Sequence, residues 1–362
     1  MAVSVVRVVL LCAFLFIGMV LGGVLLQPKA SVDVWNIKES DFPSNGSSED
    51  KLSFLLNYAI LAPSSLNAQP WKFNVSGDEI RLFADKTRWL AVSDTDQREL
   101  YISQGTALEN LLVAADYFGY GYNVTYLSGN GSLVAIIKLT SDNGHSQDPK
   151  LFKAILAHDT NQNPHDTRKI PESALRALQN ISDGKDVKLV LASDANTRNE
   201  FCNLTVSADQ KLYLDPNYKS ELGHSLGEGM MGPTGIQAVL AQLRILFLDI
   251  SADQIRKDAD LVNSTPVLGF ISSNGNDRIS QLKAGQLLER VWLESTSMGI
   301  NLQPMSQALE VPSTKAKLAK MLPPDSGNPQ QVFMLGYASS VGDFLPRIPL
   351  WDSIVPMNWS QK

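Results

Sequence analysis

The sequence predicts an α+β fold built from two related halves, and three features of its patterning carry that expectation. Long apolar runs at helical spacing alternate with short runs whose apolar residues recur at every second position. Two of the helical runs, residues 98–119 and 284–299, echo one another and each ends on a glycine, as a duplicated architecture would show. A dense polar block, Leu61-Ala-Pro-Ser-Ser-Leu-Asn-Ala-Gln-Pro-Trp-Lys-Phe73, joins a helical run to an alternating one.

The chain opens with residues 8–26, an almost unbroken apolar stretch behind a lone Arg7 and long enough, at about 1.5 Å per residue, to cross a hydrocarbon core. It reads as an anchor or a signal segment (1–27). Pro28-Lys29-Ala30 is a poor cleavage site, which favours an uncleaved anchor with Arg7 inside and the body outside the cytoplasm; secretion after cleavage is the alternative. Export is also suggested by Asn-x-Ser/Thr sequons at Asn45, Asn74, Asn123, Asn130, Asn180, Asn203, Asn263 and Asn358, the mark of a glycoprotein. Residues 28–50 have linker composition.

The first half (51–150) starts with an apolar helical run from Leu52 that Pro63 ends, since proline cannot continue the ladder. After Pro70 the alternation of Trp71, Phe73 and Val75 against Lys72 and Asn74 predicts a half-buried strand. Gly77-Asp78 turns it into a second strand, Glu79 to Phe83. The helix at 98–119 follows, with Leu100, Ala107, Leu108, Leu111, Leu112, Ala115 and Phe118 on its apolar face, then strands at 123–126 and 133–139. The second half (151–340) offers helices at 171–182 and 194–212, strands at 187–192, 267–271 and 331–337, and the helix ending at Gly299. Gly227-Glu-Gly-Met-Met-Gly232 fits a dinucleotide pattern, but no apolar strand leads into it, so it reads as a flexible loop or lid. A tail, 341–362, carries Phe344-Leu-Pro-Arg-Ile-Pro-Leu-Trp351.

Composition excludes several functions. With 44% hydrophobic and 19% charged residues, 362 residues can bury one large core or two small ones. A net charge of −6 without a Lys/Arg cluster argues against nucleic-acid binding. Cys12 and Cys202 make no disulfide framework, and His145, His158, His165 and His224 lack metal-ligand spacing.

Hydroxyl and amide side chains on a loop between rigid elements can give donors and acceptors to a planar, heteroatom-rich ligand, and they can equally be a capped polar turn. The block Pro-Ser-Ser-Leu-Asn-Ala-Gln-Pro-Trp-Lys-Phe resembles the flavin-contacting loop of the nitroreductase superfamily, specifically its Acg-like branch. In that branch one chain carries two nitroreductase-like halves around an FMN site. The helix Arg98-Glu-Leu-Tyr-Ile-Ser-Gln-Gly-Thr-Ala-Leu-Glu-Asn-Leu111 and the run from Ala284 to Gln307 are similar to its two central helices.

The resemblance implies a nitroreductase-like fold, FMN as cofactor, and binding by Ser64, Ser65, Asn67, Gln69, Pro70, Trp71, Lys72 and Phe73. It puts Lys72 near the ring and Arg347 at the phosphate, with Ile348 where the family's second arginine stands. At Asp159-Thr-Asn-Gln-Asn-Pro164 the chain keeps Thr160, Asn161 and Pro164 but lacks the family's arginines. The implied activity is reduction of nitro or other electron-poor compounds through the flavin, which itself carries the chemistry, so no catalytic side chain is required. The alternative is a non-enzymatic flavin-binding protein with a lid over the flavin. The substrate and electron donor are open, and the chain is expected to be a pseudo-dimeric monomer or a homodimer.

Overall fold

A computed structural model describes residues 18, 22–24, 27, 30–129, 131–141, 149–157, 163–182, 186–339 and 344–359. The proposed anchor lies almost wholly outside the described residues, as does 158–162 of the departing loop. Among the described residues no single helix is long and apolar enough to cross a membrane.

Helix α1, Ser48–Ala59, begins with a reciprocal cap: the Ser47 hydroxyl accepts from the Asp50 amide at 3.1 Å, and the Asp50 carboxylate accepts from the Ser47 amide at 2.9 Å. The polar block follows and delivers the chain to strand β1, Trp71–Ser76, which pairs with β2, Glu79–Ala84, through a turn at Gly77 with φ of +61°. That left-handed angle suits a residue without a Cβ.

Helix α2, Arg98–Tyr117, is buried from Arg98 to Ala115. The Asp94 carboxylate accepts from the amides of Glu99 and Leu100, each at 2.9 Å, and so satisfies two of the donors a helix start leaves open. Strands β3, Tyr120–Tyr126, and β4, Leu133–Ser141, complete an antiparallel sheet of order β1-β2-β4-β3. Helix α3, Pro149–Ala157, closes this part of the chain.

A second antiparallel sheet has the order β5-β6-β8-β7, from β5, Val187–Ala192; β6, Val267–Ser273; β7, Asn301–Pro304; and β8, Asn328–Gly336. Helix α4, Glu172–Asn180, precedes it. Between β5 and β6 the chain inserts α5, Ala195–Leu214; α6, Pro216–Gly227; α7, Gly235–Phe247; and α8, Ser251–Ser264. Helix α9, Arg278–Ser297, follows β6 as α2 follows β2. Two short helices, α10, Gln307–Glu310, and α11, Pro312–Met321, precede β8.

Helices α2 and α9 cross with their backbones in contact. A Cβ on Gly105 would run into the Leu282 carbonyl oxygen and stand 2.8 Å from the Gly285 Cα; one on Gly285 would run into the carbonyl of Ile102. The tail is laced to the first sheet: Val355 donates to the Phe73 carbonyl at 2.8 Å, and Ser31 and Arg347 exchange backbone hydrogen bonds at 2.9 and 3.0 Å.

Trp71 and Phe73 are 1% and 0% exposed and sit in the apolar core under α2. Trp71→Ala should therefore cost roughly 3–5 kcal/mol of unfolding free energy. Urea denaturation checks this, and a loss below about 1 kcal/mol would place the ring outside the core.

The sequons divide. Asn45, Asn123, Asn180, Asn203, Asn263 and Asn358 are exposed. Asn74 is corrected: its side chain is buried and its Nδ2 donates to the Val355 carbonyl at 2.9 Å, so it is closed to a glycan.

Candidate functional site

The polar block is strained and then tied down. Leu66, Asn67 and Gln69 have φ of +46°, +53° and +50°, left-handed angles that cost a non-glycine residue on the order of 1 kcal/mol each. Such a path persists only where surrounding groups over-determine it. The Ser64 hydroxyl accepts from the Gln69 amide at 2.9 Å, Gln69 Oε1 accepts from the Ile348 amide at 2.8 Å, and the Thr106 hydroxyl donates to the Pro63 carbonyl at 2.7 Å. Asn67 is the hub. Its Nδ2 donates to the carbonyls of Met230 at 2.7 Å and Pro346 at 2.9 Å, joining the loop to the segment after α6 and to the tail.

Arg347, expected at a phosphate, lies beneath the loop. Its guanidinium donates to the Leu61 carbonyl from Nη2 at 2.9 Å and Nε at 3.2 Å, and to Asn67 Oδ1 from Nη1 at 2.9 Å, with Trp35 stacked at 5.0 Å. It is 3% exposed, and burial pushes its pKa down to about 9, so it stays charged at neutral pH. Lys72, expected near a ligand ring, turns the other way: its Nζ donates to the Asp352 carbonyl at 2.7 Å and lies 3.7 Å from the Asp85 carboxylate. Pro70, Trp71 and Phe73 are buried, and Gln69 is spent on the loop and the tail.

Ser64, Ser65 and Asn67 do meet a common space. They form one wall of a cavity of about 490 Å³, with Ser103 and Thr106 of α2 beside them. The facing wall comes from the other sheet's side of the molecule: Leu288 and Trp292 of α9, then Gln303, Met305 and Glu310. Tyr218 of α6, Asp258 of α8 and Met231 from the turn after α6 complete its lining. Gln303 is 6% exposed, and its Oε1, buried at this wall, meets no donor among the described residues. Glu99, Gln303, Glu310 and Gln331 were not among the residues selected from the sequence. One signal was there to be read: Asn301-Leu-Gln-Pro304 repeats the Asn-x-Gln-Pro of the polar block.

Carboxyl groups crowd this region. Glu99, Asp258 and Glu310 line the cavity, and Lys257 is the one cationic side chain among the described lining residues. Burial, with Glu99 nearby, pushes Glu310 up to about 8 and Asp94 up to about 7; burial, with Asp258 nearby, pushes Asp209 up to about 8. Neither Asp209 oxygen has a hydrogen-bond partner among the described residues, which suits a protonated acid. Glu99 is held by Arg98 at 2.8 Å.

The sign of the pH dependence follows. The unfolded chain releases these protons near the ordinary carboxyl values of 3.8 and 4.5, whereas the folded chain keeps them until pH 7 to 8. The folded state thus binds more protons across that window, and stability falls as pH rises through it. Urea midpoints should be lower at about pH 8 than at about pH 5, by an equivalent of 2 kcal/mol or more, and Asp209→Asn should flatten the slope. Equal midpoints would show that the acids are ionised in the folded chain.

Comparison with known proteins gives the arrangement its relatives. No family model matches the chain. The protein named "Putative NAD(P)H nitroreductase Rv3131" of Mycobacterium tuberculosis H37Rv is 24% identical over 326 residues, 85% of this chain and 91% of that protein. "Putative NAD(P)H nitroreductase acg" of the same strain is 23% identical over 311 residues, 83% of this chain and 93% of that protein. Among solved structures, the FMN-dependent nitroreductase NfnB of Mycobacterium smegmatis in complex with NADPH shares 15% identity over 57% of this chain and 97% of its own, with a TM-score of 0.38. A Bacteroides fragilis nitroreductase with bound FMN shares 14% over 54% and 91%, with a TM-score of 0.35. The curated relatives match along nearly their whole length, and the chain is similar to proteins named as nitroreductases, the one called acg among them.

Proposed function

We propose that this cavity takes the flavin ring of FMN and that the protein is a flavin-dependent oxidoreductase of the nitroreductase type. The observation that carries the reading is the cavity's construction: hydroxyl and amide groups of Ser64, Ser65 and Asn67 on one side, apolar surfaces of Ile102, Leu288, Trp292 and Met305 around it, and a volume of about 490 Å³. Pockets for ligands of this size run to roughly 300–1,000 Å³ and are mostly apolar with a few placed polar groups. The orphaned Gln303 Oε1 supports the fit, because the ring edge of a flavin carries an N–H that a buried carbonyl can accept.

When bound, the flavin supplies the electron and hydride transfer. The chain's own residues orient it and exclude water. Ser64 and Ser65 would face its polar edge, while Asn67, whose amide is bonded to Met230, Pro346 and Arg347, and Arg347, which also holds the Leu61 carbonyl, act as positioning residues for the loop. At the phosphate end the described wall offers Lys257, while Asp258 and Glu310, both pushed up by burial, oppose a phosphate less when protonated. One side of the cavity comes from the loop and helix that flank the first sheet and the other from α9 and the second sheet, so we read the two sheets of like strand order as related halves and one chain as the counterpart of a nitroreductase dimer. We also retain residues 8–26 as a membrane anchor with the body outside the cytoplasm.

One observation favours the second reading, a flavin-binding protein without turnover. The segment from Glu228 to Met231, beside the cavity, is fastened to the loop by Asn67 to Met230 and, through Arg88, by its 3.1 Å ion pair with Glu228 and its hydrogen bond to the Ala68 carbonyl. Adding NADPH to the FMN-loaded protein without oxygen separates the two: bleaching of the flavin band supports the enzyme, and an unchanged spectrum that dithionite then bleaches supports the covered binder.

A further inference from the structure

Helix α7 buries only one side. Ala238, Val239 and Ile245 face the body, whereas Ile236, Leu240, Leu243 and Phe247 recur at the i, i+4, i+7, i+11 spacing that makes one stripe along the opposite surface. Ile236 is 55% exposed, Leu240 48%, Phe247 76%, and Leu248 just beyond the helix 56%. A contiguous apolar stripe on open surface marks a place where something apolar docks. From residue 235 to 248 there is no acidic side chain, and the one charge, Arg244, flanks the stripe where a long basic side chain can reach a headgroup layer.

The chain itself indicates what covers the stripe. The Gln27 side chain, one residue beyond the apolar run 8–26, is clamped to the start of α7: its Nε2 donates to the carbonyls of Gly227 at 2.9 Å and Gly235 at 3.0 Å, and its Oε1 accepts from the Gly235 amide at 3.1 Å. Four residues earlier, Gly23 passes so close to Val239 that a Cβ there would be 3.0 Å from a Val239 methyl. Gly23 and Gln27, at the end of the apolar run, thus lie beside α7, and a bilayer entered by that run would lie beside α7 as well.

We propose that α7 is the bilayer-contacting face of the folded body, its Ile236-Leu240-Leu243-Phe247 stripe lying at the headgroup–acyl boundary of the membrane that residues 8–26 enter. The proposal rests on the anchor reading above and adds to it an orientation: the helices covering the cavity are turned toward the lipid.

The test uses the full chain with Cys12→Ser, in which Cys202 is buried, and a small environment-sensitive dye on Leu240→Cys. The protein is floated with phosphatidylcholine vesicles carrying a spin-labelled lipid quencher. The expected result is co-flotation with a fall of about twofold in dye fluorescence, as an interfacial helix requires. Co-flotation without lipid quenching overturns the proposal and leaves the anchor standing; aqueous iodide then tells whether the stripe is open to water or covered by residues 8–21 or a second copy. A chain that does not float overturns both.

Discussion

Replacing Gly105 with alanine should cost roughly 3 kcal/mol or more, the upper end of what forcing extra atoms into a packed core does. The reason is geometric. The methyl would meet the Leu282 carbonyl oxygen and the Gly285 Cα, which are backbone atoms and cannot rotate away, so α2 and α9 would have to separate. Gly285→Ala should behave alike, because its methyl meets the Ile102 carbonyl. The two changes act on one contact and should fall well short of additive when combined. Since Leu288 and Trp292 of α9 and Ser103 and Thr106 of α2 face one another across the cavity, separation of the helices should also weaken ligand binding. Urea unfolding of the single and double variants checks this; additive losses, or losses under about 1 kcal/mol, would mean that the helices are not in backbone contact.

Replacing Arg347 with alanine should destabilise the fold by roughly 3–5 kcal/mol, because it leaves the buried Leu61 carbonyl and Asn67 Oδ1 without their donors. Lysine should not rescue it, since a single ammonium cannot span the positions that the guanidinium fork reaches. The consequence for binding differs from that of a phosphate contact. With Arg347 under the loop, FMN and riboflavin should lose affinity by the same factor, as both depend on where Asn67 stands. Isothermal titration of a milder variant, Asn67→Ala, with both flavins gives a parallel reading on folded protein. A loss confined to FMN on changing Arg347 would show that its guanidinium reaches the phosphate.

Much of the framework was legible because period and punctuation survive in a single sequence. The helix from Arg98, the Gly77 hairpin, the strand at 187–192 and the helix ending before Gly299 all stand where apolar spacing and glycine placed them. Helices α6 to α8 were less legible. Gly227 to Gly232, read as a loop, is the turn between α6 and α7, but the helices themselves were not read, because the stretch beyond it carries an apolar face that packs only in part on the body. Strand β7 is four residues long, too short for alternation to show.

The site divides along the same line. Hydroxyl and amide content singled out Ser64, Ser65, Asn67 and Gln69; the first three line the cavity, whereas Gln69 braces the loop and the tail. Which of the remaining polar groups point outward and which brace the loop depends on left-handed turns at Leu66, Asn67 and Gln69, which no residue type there announces. Arg347, expected at a phosphate, is found beneath the loop because the tail lies against the first sheet and turns its guanidinium onto the Leu61 carbonyl and Asn67. Glu99, Gln303 and Glu310 come from distant segments, and only the crossing of α2 and α9 at two glycines brings them to one cavity.

The central claim is that the space between the Asn67 loop and α9 holds a flavin, and the visible spectrum of the purified full chain tests it most directly. The account predicts a yellow protein, or a colourless one that becomes yellow on titration with FMN, saturating at one flavin per chain and losing affinity when Asn67 is changed to alanine. A chain that stays colourless with excess FMN, or takes up flavin equally well with Asn67→Ala and with wild type, would contradict it.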